Sequence, residues 1–306
     1  MASISLSGVE IEDTHAEGFT MWGGRIIITA SSEKWANLAA TEATGFGTSI
    51  IRCDCEAGIE RRLISDETPD GRPGVAVMFF GRTKEKLYWS MLDRVGQCVL
   101  TCPTTRVFNG LPEGDADAML DSGKNLRYFG DGHEEETSLE GIPGRFWRIP
   151  VTEGEFLVED RFGARKGVAG GNFLIMGESQ EAALEASERA VEAINGVLLV
   201  ITPFPGGICR SSSTVGSKYD FLNVSTNTPF CPTLRNSVPG SKVPEGITTV
   251  YEMIIDGLYR ENVMEAMGRG IKAAIEVEGV KKISAVNFDG RLGKHKLPLR
   301  EALEFI

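Results

Sequence analysis

Two stretches of the chain carry the same rhythm of apolar positions. In VAVMFFGRTKEKLYWSMLDRVGQCVLT, from Val75, the residues Leu87, Met91, Val95 and Val99 recur at helical spacing behind a β-branched and aromatic run. In VYEMIIDGLYRENVMEAMGRGIKAAI, from Val250, the residues Val263, Met267, Ile271 and Ile275 do the same. Each stripe predicts a helix packed by one face on a sheet. Upstream, RIIITASSEKWANLAATEATGFGTSIIRC from Arg25 and FLIMGESQEAALEASERAVEAINGVLLVI from Phe173 both read as strand, serine, helix, glycine and strand. Ser31 or Ser32 and Ser179 are placed to cap the two helices, and Gly47 and Gly196 sit where each must stop. A last extended run, Ala285 to Phe288 in the second half, completes the order.

Strand, helix, strand, long loop, strand, helix, strand is the split β-α-β order. The expected fold is therefore α/β (α+β), two ferredoxin-like lobes built as an internal repeat. Such a sheet holds both helices on one face, so its other face needs cover from the sister lobe or another subunit. A Pro-, Gly- and acid-rich stretch over 134–154 separates the halves. It places the boundary near Pro150, with lobes 1–150 and 151–306.

Charge then narrows the chemistry. The 306 residues carry 32 Lys+Arg against 43 Asp+Glu, a net charge of -11. An acidic chain of this kind lacks the basic face that phosphates or anionic lipid require, so neither nucleic acid nor membrane is an expected partner. No apolar run approaches the ~18 residues of a membrane span, and the acidic N-terminus has no leader pattern. Six cysteines, at 53, 55, 98, 102, 209 and 231, form no disulfide framework. Reduced thiols in a cytoplasm are expected.

Glu252 stands out on pattern alone. Val250, Glu252 and Ile254 share one face of a strand while Tyr251, Met253 and Ile255 share the other. Aligning Met253 with Met78 sets Glu252 at the place of Val77, so the first copy fills the position with an apolar residue. A carboxyl buried there has its pKa raised and suits a general acid; pairing with a neighbouring Arg or Lys is the structural alternative. The glycine-rich loops GVAGGNF (167–173), PFPGGI (203–208) and SSSTVGSKYD (211–220), with STN (225–227), all lie in the second half. They read either as tight turns or as a binding surface for a polar substrate. Gly45-Phe46-Gly47 follows a helix, the reverse of a dinucleotide-binding turn. The cysteines lack zinc spacing, and His15, His133 and His295 fit neither a triad nor HExxH. No metal site is expected.

The ordered stretches GVEIEDT (8–14), TEATGFGTSII (41–51), ETPDGRPGV (67–75), LDRVGQCVL (92–100), EGEFLVED (153–160), GVAGGNF, PFPGGI, VGSKYDFL (215–222), STN, CPTL (231–234) and VYEMIIDGL (250–258) span the chain. On them it resembles formylmethanofuran:tetrahydromethanopterin formyltransferases. The resemblance implies a two-lobed protein assembled as a dimer or tetramer, with its active site in a cleft involving a subunit interface. It implies tetrahydromethanopterin and methanofuran-type C1 carriers as co-substrates, with no metal or prosthetic group. It carries the family's catalytic carboxylate onto Glu252, and with the loop compositions it marks Asn172, Gly206, Gly207, Ser213, Ser217, Lys218 and Asn227 as substrate contacts.

Two stretches depart from the family pattern. SAVNFDGRLG from Ser284 puts Val286 and Asp289 where small residues are usual, and LPEGDADAMLDSGKN (111–125) differs from the archaeal pattern. The first bears on loop geometry; with the second, the chain leans towards the bacterial form, one subunit of a formyltransferase/hydrolase complex, with formylhydrolase-complex subunits as partners. Two other readings compete with an active enzyme. One is a scaffold or cofactor-docking subunit that no longer turns over, against which an intact Glu252 argues. The other is a small-ligand sensor, which the same fold could host.

Overall fold

The computed structural model describes residues 3–305. A hairpin of β1 (Ser3–Leu6) and β2 (Val9–Glu12) leads into the long strand β3 (His15–Thr29). Helix α1 (Glu33–Thr44), strands β4 (Glu56–Leu63) and β5 (Gly74–Gly81), helix α2 (Lys84–Arg94) and strand β6 (Arg106–Asn109) follow. Next come β7 (Ala118–Leu120), α3 (Ser122–Leu126) and β8 (Glu135–Leu139). The order then starts again with β9 (Ile142–Val151), β10 (Gly154–Glu159), the long β11 (Phe162–Gly177) and α4 (Gln180–Ile194). Short strands β12 (Val200–Ile201), β13 (Ile208–Cys209), β14 (Ser213–Val215) and β15 (Val224–Thr226) precede β16 (Thr249–Gly257), α5 (Arg260–Ala274) and β17 (Val280–Ser284). Strand β18 (His295–Pro298) and α6 (Leu299–Glu304) end the chain. Among the described residues no helix is long and apolar enough to cross a membrane.

The chain forms two compact units, Thr20–Gly167 and Met1–Phe19 with Val168–Ile306. In the first, β5 lies between β4 and β3, and β3 pairs with β6 on its other side, all antiparallel. In the second, β16 lies between β12/β13 and β11, and β11 pairs with β17, again all antiparallel. Both are the ferredoxin-like order. The predicted stripes pack as expected: Leu87, Met91, Val95 and Val99 join Val75, Val77 and Phe79 in one helix-side core. Val263, Met267, Ile271 and Ile275 join Phe173, Ile175, Met253 and Ile255 in the other.

The opposite faces are covered from within each unit. Ile27, Ala76 and Phe108 pack with Phe146 and Leu157 of β9 and β10. Leu174 and Met176 pack with Phe230, Val243, Ile247 and Val286 from loops. The expected cover by a sister lobe or second subunit is thus supplied on these faces by each unit's own chain. The stretch 134–154, expected as a separator, is mostly strand: Phe146, with Leu139 and Ile142 against it, fills that second core layer, while Trp147 and Ile149 point to the helix-side core.

Register also corrects the repeat by one residue. A Cβ on Gly81 would lie 2.7 Å from the Leu87 nitrogen, and one on Gly257 2.6 Å from Val263 Cγ2, so each glycine admits the first stripe residue of its helix. Gly81 therefore matches Gly257, and Glu252 matches Ala76 rather than Val77. Val77 belongs to the helix-side core and Ala76 to the opposite face. The position is still apolar in the first copy.

The repeat extends further than the helices. Val9-Glu10-Ile11-Glu12-Asp13 matches Phe156-Leu157-Val158-Glu159-Asp160, and Gly23-Gly24-Arg25-Ile26-Ile27 matches Gly170-Gly171-Asn172-Phe173-Leu174. The matching hairpins sit in exchanged units. Strand β2 runs parallel to β17, with Glu10 beside Lys282. Strand β10 runs parallel to β6, with Leu157 beside the matching Arg106. Compact units and linear halves therefore differ by 1–19 and 151–167.

Several local expectations change. Ser179 Oγ accepts from the Ala182 nitrogen and caps α4, whereas Ser32 holds the cap position of α1 without a side-chain bond. Helix α1 stops at Gly45, and Gly47 instead lets Ala57 approach. The Ser49–Cys53 run is a turn closed by bonds to the Ser49 carbonyl, so its strand begins only at Glu56. Val197 to Leu199 stay outside β12, with Leu199 at a positive φ of 61°. Ala285 to Phe288 form a loop, held there by Asn172 and Glu17.

Candidate active site

Strand pairing builds a row across the loop-covered face of the second unit. Cys209 of β13, Glu252 of β16, Leu174 of β11 and Ser284 of β17 stand side by side. Glu252 is 6% exposed. Burial pushes its carboxyl up to about 7, against the opposing bond from Ser212. Asn227 orients that hydroxyl: its backbone nitrogen donates to the Ser212 carbonyl at 2.9 Å and its Nδ2 to Ser212 Oγ at 3.1 Å. With an acceptor site taken, the single O–H of Ser212 is free to donate to the carboxyl. The buried Cys209 thiol is pushed up to about 11, first by burial and then by the charge of Glu252, and so stays protonated.

The arrangement leaves Glu252 able to exchange a proton near neutral pH. A carboxyl poised near neutrality in a water-poor setting can give and take a proton without a large driving-force penalty. Among the described residues no group of three or more His, Cys, Asp or Glu could hold a metal ion.

The other predicted residues fall into three groups. Asn172 shares the face of Leu174, but its amide is spent on backbone, donating to Gly170 and Val286 carbonyls and accepting from the Val286 nitrogen. It anchors the loop after β17. Gly206 and Gly207 form a turn before β13 at φ 62° and 80°, and a Cβ on Gly207 would meet Thr202 and Val191 at 2.7 Å. The tight-turn reading accounts for both. Ser213 pairs with Thr226 in the β14–β15 hairpin, Ser217 Oγ accepts from the Tyr219 nitrogen, and Lys218 is exposed. Of the predicted contacts only Asn227 is tied to Glu252, through Ser212. GVAGGNF is strand rather than loop, with an irregularity between Val168 and Gly171.

Sequence reasoning missed Ser212, Cys209 and Glu17. Ser212 lies in a serine run whose pairing phase was not legible, and Cys209 belongs to a strand of only two residues. Glu17 accepts from the backbone nitrogens of Phe288, Gly290, Leu292 and Gly293, a role no local pattern announces.

Comparison with known proteins gives a consistent result. Residues 4–151 match the family model described as formylmethanofuran-tetrahydromethanopterin formyltransferase, and residues 154–302 match the model of its proximal lobe. The formylmethanofuran–tetrahydromethanopterin formyltransferase of Methanocaldococcus jannaschii is 50% identical over 98% of this chain and 100% of its own. That of Methanopyrus kandleri is 51% identical over 97% and 99%. Two solved structures share the fold. The Methanosarcina barkeri formyltransferase has a TM-score of 0.93 at 49% identity, covering 98% of this chain and 100% of its own. A chain of the formyltransferase/hydrolase complex (FhcABCD) from Methylorubrum extorquens, solved with methylofuran, has 0.94 at 43% identity, covering 99% of both.

Proposed function

The chain belongs to the formylmethanofuran–tetrahydromethanopterin formyltransferase family, and on that premise we propose a mechanism with Glu252 as general acid and base. It is a formyltransferase, moving a formyl group between N5 of tetrahydromethanopterin and the amine of a methanofuran-type cofactor. The amine adds to the formyl carbon and gives a tetrahedral intermediate with negative oxygen. Protonated Glu252 donates to the collapsing intermediate and recovers a proton from the amine that attacked, so the cycle consumes none. Ser212, oriented by Asn227, steadies the carboxylate between the two transfers. Holding two large carriers together supplies much of the remaining acceleration.

One observation carries this reading: a buried carboxyl held near neutrality on an apolar strand face, where the repeat places Ala76. In this proposal Gly206, Gly207, Ser213, Ser217 and Lys218 are carrier contacts on the family resemblance alone, while Asn172 anchors the loop after β17. The two C1 carriers are the co-substrates, the protein works in the cytoplasm, and it assembles as a homo-oligomer. Likeness to the chain of the Methylorubrum complex extends the proposal to hydrolase-complex partners.

The test is formyl transfer by Glu252→Gln. The amide keeps the shape and loses the titrating proton. A fall of about 10²–10⁴-fold in kcat in a folded variant is expected; wild-type turnover overturns the assignment.

A further inference from the structure

The second unit contains another buried carboxylate that the mechanism does not use. Glu17, 2% exposed, pairs with Lys296 within the β3–β18 ladder, far from Glu252 in sequence. Its Oε2 accepts from the backbone nitrogens of Phe288 at 2.7 Å and Gly290 at 2.9 Å. Its Oε1 accepts from those of Leu292 and of Gly293, the latter at 2.8 Å. Burial alone would raise this carboxyl; the four N–H bonds outweigh it and hold Glu17 below the usual carboxylate range. The backbone of 288–293 is thus wrapped around a permanent negative charge, the geometry of an anion nest filled by the protein itself.

What this loop covers gives the arrangement its meaning. Val286 and Phe288 pack with Leu174 and Val250, the cross-strand partner and same-face neighbour of Glu252. Asn172 fixes the start of the loop through Val286, and Glu17 fixes the rest. The internal repeat supplies a control. Continuing the match of Val9–Asp13 with Phe156–Asp160 sets Glu17 at Ala164, whose carbonyl simply accepts from the Asp117 nitrogen. The unit with Ala76 in place of Glu252 thus has Ala164 in place of Glu17. Carboxylates occupy both places or neither.

We propose that Glu17 is a positioning residue for the formyl-transfer reaction, holding loop 286–293 over Glu252 so that the carboxyl stays in an apolar setting. This rests on the reading of Glu252 as the acid/base group. Around Glu252 stand the Cys209 thiol across the β13 pairing, the Ser212 hydroxyl that bonds it, Leu174 opposite on β11, and Phe230, Val286 and Phe288, which pack with Leu174; Glu12 lies beyond, accepting from Ser284.

The experiment follows the carbonyl stretch of the protonated buried carboxyl by infrared titration of the full chain, assigned by its loss in Glu252→Gln. The wild type should titrate at about 7. Glu17→Gln, which turns an amide N–H₂ on donors that need an acceptor, should lower that midpoint by about one unit or more, a tenfold loss of proton affinity. Hydrogen exchange should quicken at residues 288–293 while β16 stays protected. Phe288→Ala, which leaves the nest intact and thins the cover, should move the midpoint the same way. A midpoint unmoved in both variants, or a loop that stays protected without the Glu17 charge, overturns the proposal. Wild-type formyl transfer by Glu252→Gln overturns the underlying reading instead, whichever way the titration moves.

Discussion

In the proposed mechanism Glu252 joins function to a stability cost. Its carboxyl binds protons more tightly in the folded protein than in the unfolded chain, where the ordinary value is 4.5. Between that value and about 7 the folded state holds more protons, so this group's contribution to stability falls as pH rises through the window. Glu252→Gln removes the term. Denaturant unfolding should show the variant gaining on wild type between pH 4.5 and 8, by on the order of 3 kcal/mol at 1.36 kcal/mol per unit; a difference that is flat with pH would show that the carboxyl is not held near neutrality. At this scale strand alternation put Glu252 on one face with Val250 and Ile254, and the family resemblance, not the pattern, pointed to its catalytic role. Asn227 was legible by composition, but Ser212 was not, since Ser211, Ser212 and Ser213 look alike until the Ser213–Thr226 pairing sets their phase. Glu17 was invisible because its partners are backbone atoms, which leave no trace in side-chain pattern.

Among elements, the repeated helices make a matched comparison. Ser179 caps α4 with a side-chain bond of 3.0 Å, while Ser32 spends no side chain on α1. Ser179→Ala should cost about 1 kcal/mol in thermal or denaturant unfolding and Ser32→Ala a few tenths. Equal losses would mean that both serines cap. Helices were legible because four successive stripe positions in each copy outvote any single exception. Strands were less so. Ser49–Cys53 carries β-branched residues but closes on itself, and 134–154 looks like a linker by its Pro, Gly and acids yet alternates at Trp147, Ile149 and Val151 within β9. Short runs lack the length that settles period, so tertiary pairing decides them.

For the whole molecule, the repeat and the compact units divide the chain differently. We propose that the linear halves 1–150 and 151–306 are the units of duplication, with β2 of the first half beside β17 of the second and β10 of the second beside β6 of the first. Unit Thr20–Gly167 is contiguous and includes β10, which covers the edge of β6. Expressed alone, 20–167 should therefore melt cooperatively, whereas 1–150 leaves β6 without that cover and should aggregate or lack a sharp transition. The reverse result, measured by circular dichroism, would make the linear half the folding unit. The exchange could not be read from the sequence, because both hairpins precede their own long strand in the same order whichever sheet they join.

Formyl transfer requires all of these scales together, and its pH dependence tests the central claim most directly. For wild type, kcat/KM should fall as pH rises through about 7, where free Glu252 loses its proton. Glu252→Gln should retain a small rate with no such limb. A limb that persists unchanged in the variant, or a variant as fast as wild type, would contradict Glu252 as the proton carrier.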